Sequence, residues 1–228
     1  MIDAADLMSL PAYNAYRTEH RKRLITHRRM RTVPLGPAMR LQFEDELTIR
    51  YQIQEVLRVE KVHDAAGMQQ EIDTYAHLLP DGSHWKATLL IELPDAGERE
   101  RLLPLLHEAA QRLYVQAGRQ PRAWGHANED LENRHSHRPS AVHFVRFALP
   151  DALRSALLHE PTAVLGCDHP RYHWRRSIPP QSLARLRQDL AAPARQVAPM
   201  SPLSPSSAAT TAPVVLPPAF ANSLVAPR

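Results

Sequence analysis

The residue types most able to do chemistry in this chain are histidine and the carboxylates. Seven of the 13 histidines (His84, His126, His135, His137, His143, His169 and His173) fall at predicted strand ends or in the loops between strands. Imidazole and carboxylate suit zinc, iron or manganese, and a catalytic metal needs three protein ligands and an open position. Asp168, His169 and His126, with His84 as a further candidate, can supply that set for a divalent metal, although the spacing matches no recognised metal signature. The plainer reading is a hydrogen-bonded polar edge. Glu55 on a helix and Lys86 on a strand are the candidates for acid–base work. Glu55 also reads as one half of an ion pair with Arg58 or Arg50, and His143 as a satisfied core histidine. Cys167 and His169 share one face of a strand, which permits a thiol–imidazole pair; a small buried cysteine is the simpler account. With one cysteine the chain holds no internal disulfide and no four-cysteine zinc site. None of the seven glycines forms a phosphate loop, and there is no Gly-x-Ser-x-Gly elbow.

Charge offers a second kind of chemistry. Arg17, Arg21, Lys22, Arg23, Arg28, Arg29 and Arg31 stand against Glu19 alone, which makes the segment 17–31 far more basic than the net +4 of the whole chain. Such a stripe attracts phosphates or an acidic protein surface, or it is a helix face whose charges pair elsewhere. Modules that bind nucleic acid interleave aromatics with basic residues, and only Tyr13 and Tyr16 accompany this stripe. A nucleic-acid-binding role for Arg17 to Arg31 is therefore the third choice.

The elements that must position these residues emerge from periodicity. Leu10, Tyr13, Tyr16, His20, Leu24 and His27 recur every three or four residues and predict a first helix. Short strands come next over 32–35 and 39–43 around Gly36-Pro37, then helices over 46–61 and 65–79. In the helix over 46–61, Arg50, Gln54 and Arg58 form a polar row on a segment apolar enough to be mostly buried. From Trp85 onward the pattern predicts a strand, a helix from Asp95 to Gly118, strands over 122–128 and 140–149, a short helix over 151–159 and a strand over 162–167. That order, β-α-β-β-α-β, is the split arrangement of ferredoxin-like folds. The fold class expected is α+β: an antiparallel sheet with a ferredoxin-like core over 84–170, preceded by a helical and hairpin section over 1–80 packed on it, all in one domain over 1–190. In that topology the first and third core strands run parallel. One sheet edge then gathers His84, Trp85 and Lys86 with His126, Asn128, Glu129, Asp130, Ser140, His143, Asp168, His169 and His173.

Residues 191–228 hold eight of the 21 prolines, with Ser, Ala and Thr between them, and read as a disordered tail. No apolar run is long enough to span a membrane, and the N-terminus carries acids where a signal peptide needs a basic start, so the expected address is the cytoplasm.

Several strings occur together in a telling order: Val33-Pro34-Leu35-Gly36-Pro37, Leu41-Gln42-Phe43-Glu44-Asp45, Tyr51 to Arg58, Pro80-Asp81-Gly82-Ser83-His84-Trp85-Lys86-Ala87-Thr88, Ser140 to Phe147, and Asp168-His169-Pro170-x-Tyr172. In this order they resemble the bacterial family called domain of unknown function 3501, over about residues 5–190. The resemblance implies a context: members are often encoded beside a rubrerythrin-like diiron protein and an iron–sulfur oxidoreductase. It thus implies an accessory or partner-binding protein of a redox or oxidative-stress system. No activity comes with it. The strings do place charged residues in apolar surroundings, and Arg50, Glu55, Lys86, His143 and Arg146 become the binding candidates, since a charge buried in a core must be paired or functional.

Overall fold

In the computed structural model residues 2–127 and 139–191 are described. Six helices and eight strands alternate as α1 (Leu10–Arg29), β1 (Thr32–Leu35), β2 (Met39–Phe43), α2 (Glu46–Glu60), α3 (Ala65–Ala76), β3 (His84–Ile91), α4 (Ala96–Ala109), β4 (Leu113–Ala117), β5 (Ala123–Ala127), β6 (Val142–Ala148), α5 (Asp151–His159), β7 (Ala163–His169), β8 (Tyr172–Ser177) and α6 (Pro180–Ala191). The helices start where the sequence supplies caps. Asp45, Asp64 and Asp95 each accept a backbone N–H from the first turn of α2, α3 and α4. Lys61 ends α2 in the left-handed conformation at φ 55°.

The strands make one sheet in the order β1-β2-β3-β6-β5-β4-β7-β8, antiparallel at every joint. It curls until its two edges nearly meet. The Tyr172 hydroxyl on β8 donates to the Leu35 carbonyl at 2.6 Å and accepts the Ala38 N–H at 3.2 Å, so side chains rather than a backbone ladder close the seam. Gly36, at φ +67°, turns the chain beneath Tyr172 and Trp174, where a Cβ would lie under 3 Å from both side chains.

Alternation along the strands sorts residues into layers. Leu41, Phe43, Ala87, Leu89, Val145, Phe147, Val115, Leu165 and Cys167 face the concave side, where Leu106 of α4, Leu153 and Leu157 of α5, and Leu183 and Leu186 of α6 complete the main core. Trp85 Nε1 donates to the Leu186 carbonyl at 3.1 Å, which ties α6 across that core. On the convex side α2 and α3 bring Ile49, Ile53, Val56, Leu57, Ile72 and Tyr75 against Phe144, a second apolar cluster over β3 and β6. Of the expected N-terminal section, α2 and α3 pack on the sheet, whereas the β1–β2 hairpin joins it as its first two strands.

The ferredoxin-like order is corrected. The helix expected to reach Gly118 stops at Ala109, and residues 113–117 form β4, inserted between β5 and β7. β7 therefore pairs with β4 instead of β3, β2 takes the place beside β3, and β3 and β6 run antiparallel rather than parallel, with His84 opposite Ala148 and Leu89 opposite His143. The gathering of all the polar strand ends at one edge is lost with it. His84 and His143 fall at opposite ends of the β3–β6 pair, five residues apart in register, or roughly 17 Å at about 3.4 Å per residue. The expected tail beyond Ala191 and the candidates Asn128, Glu129, Asp130, His135 and His137 lie outside the described residues.

Candidate functional site

Glu55 is the best-organised carboxylate in the protein. Its row on α2 faces α1, and it is 1% exposed. Arg17 grips it with two hydrogen bonds, Nε at 2.7 Å and NH2 at 2.9 Å; the Tyr13 hydroxyl donates at 2.7 Å and Arg58 at 3.2 Å. Burial alone would raise its pKa, but the donors from Arg17, Tyr13 and Arg58 outweigh it and hold the carboxyl down at about 2. A carboxylate so fully engaged is a poor proton acceptor; its chemistry is to fasten α1 to α2. Arg50 pairs instead with Glu46 one turn earlier.

Lys86, Arg146 and His126 form a cross-strand row on β3, β6 and β5 through the pairs Lys86↔Arg146 and His126↔Arg146. Lys86 Nζ donates to the Leu79 carbonyl at 2.9 Å and lies 3.5 Å from Asp81. Asp81 also accepts from the backbone N–H groups of Ser83 and His84 and stands 2.9 Å from His84 Nδ1. Burial would raise Asp81, yet the Ser83 N–H, His84 and Lys86 bring it down to about 2. Lys86 and His84 thus anchor the α3–β3 turn. His143 is fully buried, with Nε2 2.9 Å from the Ser140 carbonyl and its ring 4.9 Å from that of His107.

The three metal candidates are not brought together. Asp168 points to the convex side and is held by Arg122 NH1 at 2.6 Å and His173 Nδ1 at 3.1 Å. His169 follows it on the opposite face of β7; its Nδ1 accepts the Arg171 N–H at 3.3 Å. His126 stands on β5, with β4 between it and β7. Among the described residues no three His, Cys, Asp or Glu side chains converge as metal ligands would. The Cys167 thiol donates to the Ala109 carbonyl at 3.4 Å, and burial pushes it up to about 11, which leaves it protonated and inert.

Three members of the basic stripe are spent on structure. Arg17 serves Glu55. Arg28 is buried beside Glu44, with its guanidinium 5.5 Å from the Tyr51 ring, and burial lowers its pKa. Arg31 is 2% exposed, donates to the carbonyls of Phe43 and Glu44 at 3.0 Å, and pairs with Asp189 on α6.

An arrangement that periodicity alone does not reveal stands on the other half of the sheet. The convex side of β5, β4, β7 and β8 is covered by no described helix. There Trp124, Tyr114, Gly166 and Arg175 form one cross-strand row. Tyr114 is 1% exposed, and its ring lies over Gly166, where a Cβ would come within 2.2 Å of it. Trp124, 39% exposed, meets Tyr114 edge-on at 5.6 Å. The Arg122 guanidinium lies 4.1 Å from the Tyr114 ring and 5.7 Å from that of Trp124, while its NH1 is tied to Asp168. The geometry is an aromatic and cationic platform on a rigid base. Its signal in the sequence was the alternation Ala-Trp-Gly-His-Ala over 123–127, which sets large polar-edged residues on one face and the smallest on the other, and the run His173-Trp174-Arg175-Arg176.

A family model described as a protein of unknown function, DUF3501, matches residues 1–190. Among solved structures, a crystal structure of a novel protein of unknown function from Burkholderia pseudomallei K96243 is similar at a TM-score of 0.78 and 40% identity, covering 83% of this chain and 98% of that one. No curated protein matches the chain. With the order of strings, the length of the family match and this structural likeness together, the chain belongs to the DUF3501 family.

Proposed function

We propose that this chain is a binding protein whose working surface is the convex face of β5, β4, β7 and β8. The observation that carries the reading is Trp124, a large ring held at the surface by Tyr114 and Arg122 rather than folded into the core. Exposed Trp and Arg on a packed base are what binding surfaces concentrate, because a ring already fixed in place costs little ordering when a partner arrives. The rest of the polar inventory supports the same reading from the other side: Glu55, Lys86, Arg31 and Asp81 are each engaged in holding elements together.

The partners that the family resemblance implies, a rubrerythrin-like protein and an iron–sulfur oxidoreductase, are the first to offer to this face. The test is association of the purified full chain with each, by calorimetry, for wild type and for Trp124→Ala. Binding that the substitution weakens by about tenfold or more supports the reading. A complex that forms equally well with Trp124→Ala contradicts it.

A further inference from the structure

We infer that the open face receives single-stranded nucleic acid; the inference rests on reading that face as the working surface and narrows it to one class of partner. Four antiparallel strands backed by helices on one side and covered by no described helix on the other form a platform on which unstacked bases can lie, provided an aromatic plane and cations are in place. Both are present. Trp124 offers its exposed ring to a base while Tyr114 and Arg122 fix its position from beneath and beside. Arg175 is exposed on the same face, three strands from Trp124 along one cross-strand row, or about 14 Å at the usual strand spacing, within the span of a few nucleotides.

Charge and apolar area choose between partners. Asp168, a carboxylate on this face, is engaged by Arg122 and His173, so its charge is answered. Arg175, His126 and His173 are exposed around it. On this face, apart from Trp124, the exposed positions of the row and its neighbours are polar, which fits stacking plus phosphate contacts. The basic stripe keeps Lys22, Arg23 and Arg29 exposed but presents no exposed aromatic plane, because Tyr13 is buried and Tyr16 stacks on His20.

The test uses the full chain and fluorescein-labelled oligonucleotides of about 15 nucleotides, oligo-U, oligo-dT and a mixed duplex, read by anisotropy at about 50 and 200 mM KCl. Trp124→Ala, Trp124→Phe and Arg175→Glu are compared with Arg29→Glu on the exposed end of α1, and thermal melts confirm that each variant folds. Expected are tighter binding of the single strands than of the duplex, a loss of about tenfold for Trp124→Ala and Arg175→Glu, partial retention for Trp124→Phe, and a steep fall with salt. Preference for U over dT would mark RNA as the source. Absence of single-strand binding at about 50 mM KCl, or binding that responds to Arg29→Glu and not to Trp124→Ala, overturns the inference. If a protein complex still depends on Trp124, only the nucleic-acid inference falls; if that complex too ignores Trp124, the reading of the face falls with it.

Discussion

At the scale of single residues, the charges that are out of place in a core turn out to be the ones most fully answered. Glu55 has a folded-state pKa of about 2 against an ordinary 4.5, so it contributes stability that is present above pH 4.5 and lost as pH falls through that range toward 2. Urea unfolding at pH 7 and at pH 3 should therefore show a larger drop in midpoint for wild type than for Glu55→Gln, whose deficit at pH 7 should be about 2 kcal/mol. Equal pH dependence in the two proteins would remove the assignment. Arg31 is more exacting still: Arg31→Ala orphans the carbonyls of Phe43 and Glu44 and the carboxylate of Asp189, at a cost of about 3 kcal/mol or more, and Asp189→Asn in the same chain should recover part of it. Cys167 should stay silent to Ellman's reagent in the native protein at pH 8 and react on unfolding, since its thiol is buried and pushed up to about 11. That Glu55 would be paired was legible in the sequence, and so was the candidate Arg58; Arg17 and Tyr13 were not, because they reach it from a helix 38 and 42 residues away.

At the scale of elements, local pattern was a good guide until two patterns overlapped. The helix α1, the strands β1 and β2, and the helices α2 and α3 stand where periodicity and caps set them. β4 was hidden because Leu102, Leu103, Leu105, Leu106, Ala109, Ala110 and Leu113 continue a helical apolar rhythm across the point where the helix ends. That one concealed strand moves β7 from beside β3 to beside β4, and with it goes the predicted convergence of polar residues. The helix α6 carries its own legible stripe of Leu183, Leu186 and Leu190, which the expected fold had no place for. In the curled sheet it seals the concave side, so Leu186→Ala should cost about 2 to 5 kcal/mol in equilibrium unfolding; a cost under about 1 kcal/mol would show that α6 is not part of the main core. Gly166 holds the platform: Gly166→Ala should displace the Tyr114 ring and change the near-ultraviolet circular dichroism of the Tyr114–Trp124 pair.

At the scale of the whole molecule, the helices are shared unequally over the curved sheet. α4, α5 and α6 fill its concave side, α1, α2 and α3 cover one half of the convex side, and no described helix covers the other half. None of the described helices is long and apolar enough to cross a membrane. The polar residues that looked most like a site in the sequence are distributed over this structure as fasteners, whereas the row that seats Trp124 on Tyr114 depends on strand order, which no single segment reveals. The expectation of a divalent metal still has a direct test. Metal analysis of untagged protein should find no iron, zinc or manganese that depends on both Asp168 and His169, because those side chains leave β7 on opposite faces. Near-stoichiometric metal lost from both Asp168→Ala and His169→Ala would contradict that placement.

The claim that the open face is where this protein binds is tested most directly by amide hydrogen exchange of the full chain, alone and saturated with oligo-U. Slowed exchange in Ala123–Ala127 and Tyr172–Ser177, absent in Trp124→Ala, is the predicted result. Protection confined to Leu10–Arg29 would place the contact on the basic helix and contradict it.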